Sequence, residues 1–198
     1  MITIGLTGMS GSGKTYISKL LISRSITVIN TDEIVHDLYR EENDCTRLLK
    51  THFGESVLFS DHSVNRKTLA SIVFADRSKL QLLNEIVHPF VVKAVQVYIE
   101  SAKLNGEAAI VIEAPQLFEA HLEKEFNYII SVVADDDTRI SRISKRDAIS
   151  REDALRRLSH QHSDLFFKEH SDFIINNSSN DDPEAQLDTI LRTIGLHK

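Results

Sequence analysis

Gly8-Met9-Ser10-Gly11-Ser12-Gly13-Lys14-Thr15 is the stretch that decides the fold. It satisfies the pattern G-x-x-x-x-G-K-[ST] in full, and chemistry explains its residue types. Glycines let the backbone curl so that successive N–H groups face inward as an anion nest. The helix that follows adds the positive end of its dipole. In such a loop the lysine, here Lys14, reaches the β- and γ-phosphates of a nucleotide, and the hydroxyl of Thr15 ligates Mg2+. Gly5, Gly8, Gly11 and Gly13 place four of the seven glycines within nine residues. Thr7, Ser10, Ser12 and Tyr16 are neighbours with polar groups or N–H groups to contribute.

The flanks supply the context that this loop requires. Ile2-Thr3-Ile4-Gly5-Leu6 reads as a strand before it, and Ile17, Leu20 and Leu21 give the segment after it one apolar helix face. A second strand is expected at Ile26–Ile29, ending just before Asp32. Residues 33–104 show only helical periodicity, with Leu80, Leu83 and Val87 on one stripe and Pro89 in the first turn of a further helix. Ala108–Ile112 and Tyr128–Val133 are near-continuous apolar runs, as strands buried on both faces are. Charge-rich, helix-like sequence returns at 136–170. A last short strand at Phe173–Ile175 precedes a helix opened by Asp182-Pro183-Glu184. Strands alternating with helices predict an α/β core with a parallel sheet of about five strands. That core takes in about 1–32, 105–135 and 171–198, with a helical insertion at about 33–104 and a helical lid at about 136–170.

Composition narrows the function classes. The chain has 198 residues, 41% hydrophobic and 26% charged, enough for one domain with a sizeable core. Its formal net charge of −6 argues against a general nucleic-acid binder. No run approaches the roughly 18 apolar residues of a membrane span, and the opening MITIGLTG lacks the character of a signal peptide. Cys45 is the single cysteine, so neither an intrachain disulfide nor a cysteine-rich zinc site is expected. His160 and His162, two apart, would point to different faces of a helix and make a poor metal pair. A soluble cytoplasmic protein is the expectation; the oligomeric state is left open.

Two further features bear on chemistry. Val28-Ile29-Asn30-Thr31-Asp32 puts a carboxylate beyond the carboxyl end of a core strand, where ligands bind in open α/β sheets. Such a group can accept or orient the proton of an attacking hydroxyl, or simply cap the next helix. Glu113 and Glu119 compete for an acidic role, and spacing does not rank the three. The second feature is positive charge. Residues 139–157 hold seven basic residues against three acidic ones. Arg142 and Arg146, four apart, share a helix face. Arginine forks bind phosphate oxygens, and a closing lid excludes water; the alternative is a solvated face with local pairs to Asp147 or Glu152.

The ordered set of residues resembles the dephospho-CoA kinase family. IGLTG…GSGKT resembles its opening, and VINTDEIVH its D-A-D-x-x-x-R run. Arg66 with Leu69 and Val73-Phe74, His88-Pro89, and Pro115-x-Leu117-Phe118-Glu119 follow in order. Arg142-x-x-x-Arg146-Asp147 with Ala154, Arg157 and Gln161 resembles its lid, and Lys168, Asp172 and Asn177 its ending. These matches span residues 2 to about 177. The resemblance implies a three-layer fold of the P-loop nucleoside triphosphate hydrolase type, with a helical substrate-binding insertion and a helical lid. It also implies ATP- and Mg2+-dependent phosphorylation of the ribose 3′-hydroxyl of dephospho-CoA. Asp32, Lys14 and Arg142 would be catalytic. Gly11, Ser12, Gly13, Lys14, Thr15, Tyr16, Arg142 and Arg146 would hold the nucleotide, with Thr15 on the metal. Thr7, Asp32, His88, Leu117 and Glu119 would meet the acceptor. Asn30 stands where the family has its first aspartate, and His36 where it has arginine.

Overall fold

The computed structural model describes residues 1–159 and 161–196. His160, one of the two histidines weighed as a metal pair, lies outside the described residues. The chain divides into two compact units, 1–29 with 101–198, and 30–100.

In the first unit the expected strands form one five-stranded sheet in the order β2-β3-β1-β4-β5. They are β1 Ile2–Gly8, β2 Thr27–Asn30, β3 Ala109–Glu113, β4 Tyr128–Val133 and β5 Phe173–Asn176. Strand β1 lies at the centre, parallel to β3 on one side and β4 on the other, and β5 adds parallel to β4. The pleat sorts the residues of β1. Ile4 and Leu6 point into a core shared with Ile17 and Leu21 of α1 (Lys14–Ser23) and with Leu187, Ile190 and Leu191 of α9 (Pro183–Thr193). On the opposite face a Cβ at Gly5 would come within 2.6 Å of both Leu117 and Phe126, so glycine leaves room for the second layer. Arg24, just past α1, ties that helix to Glu184 and Asp188 of α9.

Residues 136–170 form α6 (Asp136–Asp147), α7 (Arg151–Leu158) and α8 (Asp164–His170). Ile140 and Ile143 of α6 pack with Ala154 of α7 in a small core of their own. By contrast, α8 sends Phe167 into a cluster with Met9 and Val133, next to β4. A segment expected to act as one lid is thus an α6–α7 pair followed by a helix packed on the sheet.

The second unit is helical, as its periodicity predicts: α2 (Thr31–Leu38), α3 (Asp44–Phe53), α4 (Arg66–Val73) and most of α5 (Arg77–Leu104). Helix α5 corrects two expectations. Pro89 does not start a helix; it sits inside one of 28 residues. Pro89 is exposed, so the Glu85 carbonyl deprived of its N–H partner lies on the solvated side and is open to water. Val87, Val91 and Val95, at i, i+4 and i+8, form the buried stripe. The second correction concerns length. Because further apolar side chains surround that stripe, an 18-residue window of α5 reaches a mean hydropathy of 1.2, long and apolar enough by composition to cross a membrane.

Candidate active site

Strand β1 ends at Gly8, and the chain turns through residues 9–13 into α1. Helix α1 has no side-chain cap at Gly13 and no acidic residue in its first turn. Asn30, Asn43, Asn65, Asp135, Ser150, Ser163 and Asp182 do cap the helices they precede. The Tyr16 and Ile17 N–H groups close on the Gly13 carbonyl (2.9 and 3.3 Å), and among the described residues no side chain caps the positive end of the helix, where an external anion is favoured.

The loop carbonyls are held by side-chain donors. Lys14 Nζ donates to the carbonyls of Gly8 (2.9 Å) and Met9 (3.1 Å). Arg139 Nε donates to that of Ser10 (3.1 Å). Arg142 Nη1 serves both Gly11 (3.3 Å) and Ser12 (3.2 Å), and Asn177 Nδ2 donates to Ser12 at 2.7 Å. Five successive carbonyls, 8 to 12, thus have cationic or amide donors, which fixes the peptide planes of the loop. Gly11 and Gly13 have φ values of +77° and +101°, in the region L side chains rarely adopt. A Cβ at Gly11 would come within 2.8 Å of the Arg139 carbonyl, and one at Gly13 within 2.1 Å of Asn177 Nδ2. The loop is wedged between α6 and the end of β5.

Two hydroxyls in this region are buried and unpartnered among the described residues: Ser12 Oγ and Thr7 Oγ1. Leaving such groups unsatisfied costs about 1–3 kcal/mol each, a cost that a bound polyanion in the nest would offset at Ser12. Thr15 and Tyr16 are exposed at the start of α1. Beneath them Ser18 Oγ, one turn on from Lys14, donates to Glu113 Oε2 at 2.6 Å in a buried pair at the end of β3. A threonine hydroxyl and a carboxylate are hard oxygen donors that fit Mg2+. Among the described residues no group of three His, Cys, Asp or Glu side chains forms a cage.

The three candidate carboxylates now differ. Glu113 is buried with one oxygen committed to Ser18. Glu119 is exposed, 3.4 Å from His162 Nε2. Asp32 lies in the second unit, in the first turn of α2; it does not cap that helix, because Asn30 Oδ1 accepts the Asp32 backbone N–H at 2.8 Å. The capping reading of Asp32 is thereby overturned, and its exposed carboxylate is left over. His88 lies in the same unit, half-buried in α5 just before Pro89.

The arginine pair divides. Arg142 faces the loop, whereas Arg146 is exposed and grips Asp147 through Nε (2.7 Å) and Nη2 (2.9 Å). Arg157 joins the same carboxylate. Together they hold the Asp147 carboxyl down at about 2, mainly through the Arg146 hydrogen bond. Leu117 is corrected outright: it is 0% exposed and builds the core over Gly5, so it has no surface for an acceptor. Sequence reasoning gave no site role to Arg139, Asn177 or Ser18. Arg139 opens the basic run, yet only the fold shows it 4% exposed. Ser18 was legible as Lys14 + 4, one turn along the same helix face.

A central parallel strand running through a glycine-rich anion nest into an uncapped helix, with arginines on the nest from a neighbouring helix, defines a P-loop kinase. The sequence profile of the dephospho-CoA kinase family matches residues 2–182. A dephospho-CoA kinase from Halalkalibacterium halodurans is 33% identical over 190 residues, 96% of this chain and 94% of that protein. A crystal structure from Thermus thermophilus superposes with a TM-score of 0.76 at 28% identity, covering 98% of this chain and 95% of its own. Dephospho-CoA kinase from Campylobacter jejuni shares the fold at a TM-score of 0.69 and 22% identity, with 97% and 96% covered. The chain belongs to the dephospho-CoA kinase family and is an ATP-dependent kinase.

Proposed function

We propose that this protein transfers the γ-phosphate of ATP to the ribose 3′-hydroxyl of dephospho-CoA, giving coenzyme A and ADP, in the cytoplasm. The observation that carries the reading is the loop itself: carbonyls 8 to 12 each held by a side-chain donor, a following helix with no side-chain cap, and the buried Ser12 hydroxyl, unpartnered among the described residues. N–H groups of residues 11–16 bind the phosphate chain. Lys14 and Arg142, which occupy loop carbonyls here, exchange those acceptors for phosphate oxygens when ATP enters, and Arg142 neutralises charge on the transferring group. Arg146 contributes to the same end from the exposed side of α6.

Mg2+ would be held by Thr15, with Glu113 accepting hydrogen bonds from its water; bound there, it would supply charge neutralisation at the phosphates. Asp32 orients the acceptor hydroxyl and takes its proton as the bond to phosphorus forms. Asn30 frees Asp32 for this by taking over the helix cap. His88 and Glu119 are proposed to contact the acceptor, and the helical unit 30–100 to carry its binding surface; Thr7, 0% exposed like Leu117, is set aside as an acceptor contact on the same ground.

A panel of alcohols tests the reading. With ATP and Mg2+ present, ADP release should depend on dephospho-CoA and exceed the rate with nucleosides, shikimate or sugars by at least about 100-fold. Equal turnover across the panel would assign the chain to another acceptor.

A further inference from the structure

Arg139 carries a buried guanidinium for which the reaction so far has no use. It is 4% exposed, and burial pulls its pKa down despite the neighbouring Asp136 carboxylate. Desolvating a guanidinium is costly unless its donors are satisfied, and every one of its nitrogens has a partner. Nε donates to the Ser10 carbonyl (3.1 Å), Nη1 to Asp136 Oδ1 (2.9 Å) and Nη2 to Gln161 Oε1 (3.1 Å). The same Gln161 oxygen accepts the backbone N–H of Ser10 at 3.0 Å. Ser10 is therefore gripped on both of its peptide groups, its C=O by Arg139 and its N–H by Gln161, and the two gripping side chains are bonded to each other.

The origins of the two side chains matter. Arg139 lies on α6, whose backbone is already against Gly11. Gln161 lies in the connection from α7 to α8, more than 150 residues along the chain from Ser10. Orientation of the Ser10 peptide sets where the nest begins, because rotation of one peptide plane moves the next N–H out of line. In the proposed reaction Lys14 and Arg142 leave the loop carbonyls to serve phosphate, whereas Arg139 and Gln161 are bonded to Ser10 and to each other and have no such call on them.

We propose that Arg139 and Gln161 act as one positioning clamp on Ser10, holding the phosphate loop in its anion-binding shape while Lys14 and Arg142 change partners. The clamp rests on the reading of the loop as the ATP phosphate site. It acts on ATP and leaves the acceptor alone.

A double-mutant cycle on the full chain tests it, with Gln161→Leu, Arg139→Met and the double variant assayed by ADP release. Gln161→Leu should raise KM for ATP by about 5- to 10-fold, the worth of one lost hydrogen bond that leaves its donors unpaired. KM for dephospho-CoA should move less than about twofold, a split that general loss of structure would not produce. The double variant should be no worse than about twofold beyond the poorer single variant, as expected of groups acting together. Multiplicative effects, an unchanged KM for ATP in Gln161→Leu, or equal rises in both KM values would each overturn the clamp. Gln161 lies at the surface, so this variant decides the matter even if Arg139→Met does not fold. Lys14→Ala separates the underlying reading: if that variant keeps full ATP affinity, the loop is not the phosphate site.

Discussion

At the scale of single residues, the structure separates charged groups that look alike in sequence. Asp32, Glu113 and Glu119 each follow or lie near a strand end, and only hydrogen-bond partners distinguish them. Glu113 is committed to Ser18 and Glu119 approaches His162, while Asp32 is released from capping by Asn30. In the proposed chemistry Asp32 handles the acceptor proton and nothing else. Asp32→Asn should lower kcat by about 100-fold or more, the scale of a lost general base. Nucleotide affinity measured by calorimetry should stay within about threefold, because no role in ATP binding falls to this side chain. Retention of near-normal kcat would remove Asp32 from the mechanism and return Glu119 to consideration. The same scale marks where sequence reading stopped. Whether Arg139 is buried or Arg146 exposed depends on which way α6 rolls against the loop, and both lie on a helix rich in charge all round.

At the scale of elements, much was legible because local rules and tertiary packing agree. The apolar runs that became β3 and β4, the stripe of α1 and the Asp-Pro start of α9 follow from periodicity and capping. Pro89 misled because its exposed position lets α5 continue, a matter of which face meets solvent. The corner from α6 to α7 offers an element-level prediction. Asp147 ends α6, and its carboxyl is held at about 2, first by the Arg146 hydrogen bond and then by the charges and bonds of Arg146 and Arg157. An unfolded aspartate titrates near about 3.9, so the folded value is depressed. The contribution of this pairing is therefore fully present above about pH 4 and is lost as pH falls through about 2. Asp147→Asn should melt lower than the parent at pH 6–7, and the gap should close as the pH approaches 2. The measurement is Tm against pH for both proteins; a gap independent of pH would mean that the carboxylate charge has no part in the corner.

At the scale of the whole molecule, the glycine-rich loop decided the fold because its geometry demands a strand before it and a helix after it, and the remaining strands then have few places to go. What the loop could not dictate was the role of the chain between Ile29 and Ser101, which leaves the sheet and forms a unit of its own. Hydrogen exchange with each substrate alone assigns those roles. A ligand that binds only the native state slows exchange where it orders backbone, and stabilises the fold by about 2.7 kcal/mol at 100 times its Kd. A non-hydrolysable ATP analogue with Mg2+ should protect residues of the first unit, chiefly the loop 8–16, α6 and the strand ends beside them. Lys14→Ala should abolish that protection. Dephospho-CoA alone should protect amides within 30–100, with α2 around Asp32 among them. Asp32→Asn should leave the nucleotide pattern untouched, since the proposal gives that residue only the acceptor. Protection by dephospho-CoA confined to the first unit would instead place both substrates on the sheet, and the helical unit would then need a purpose other than binding the acceptor.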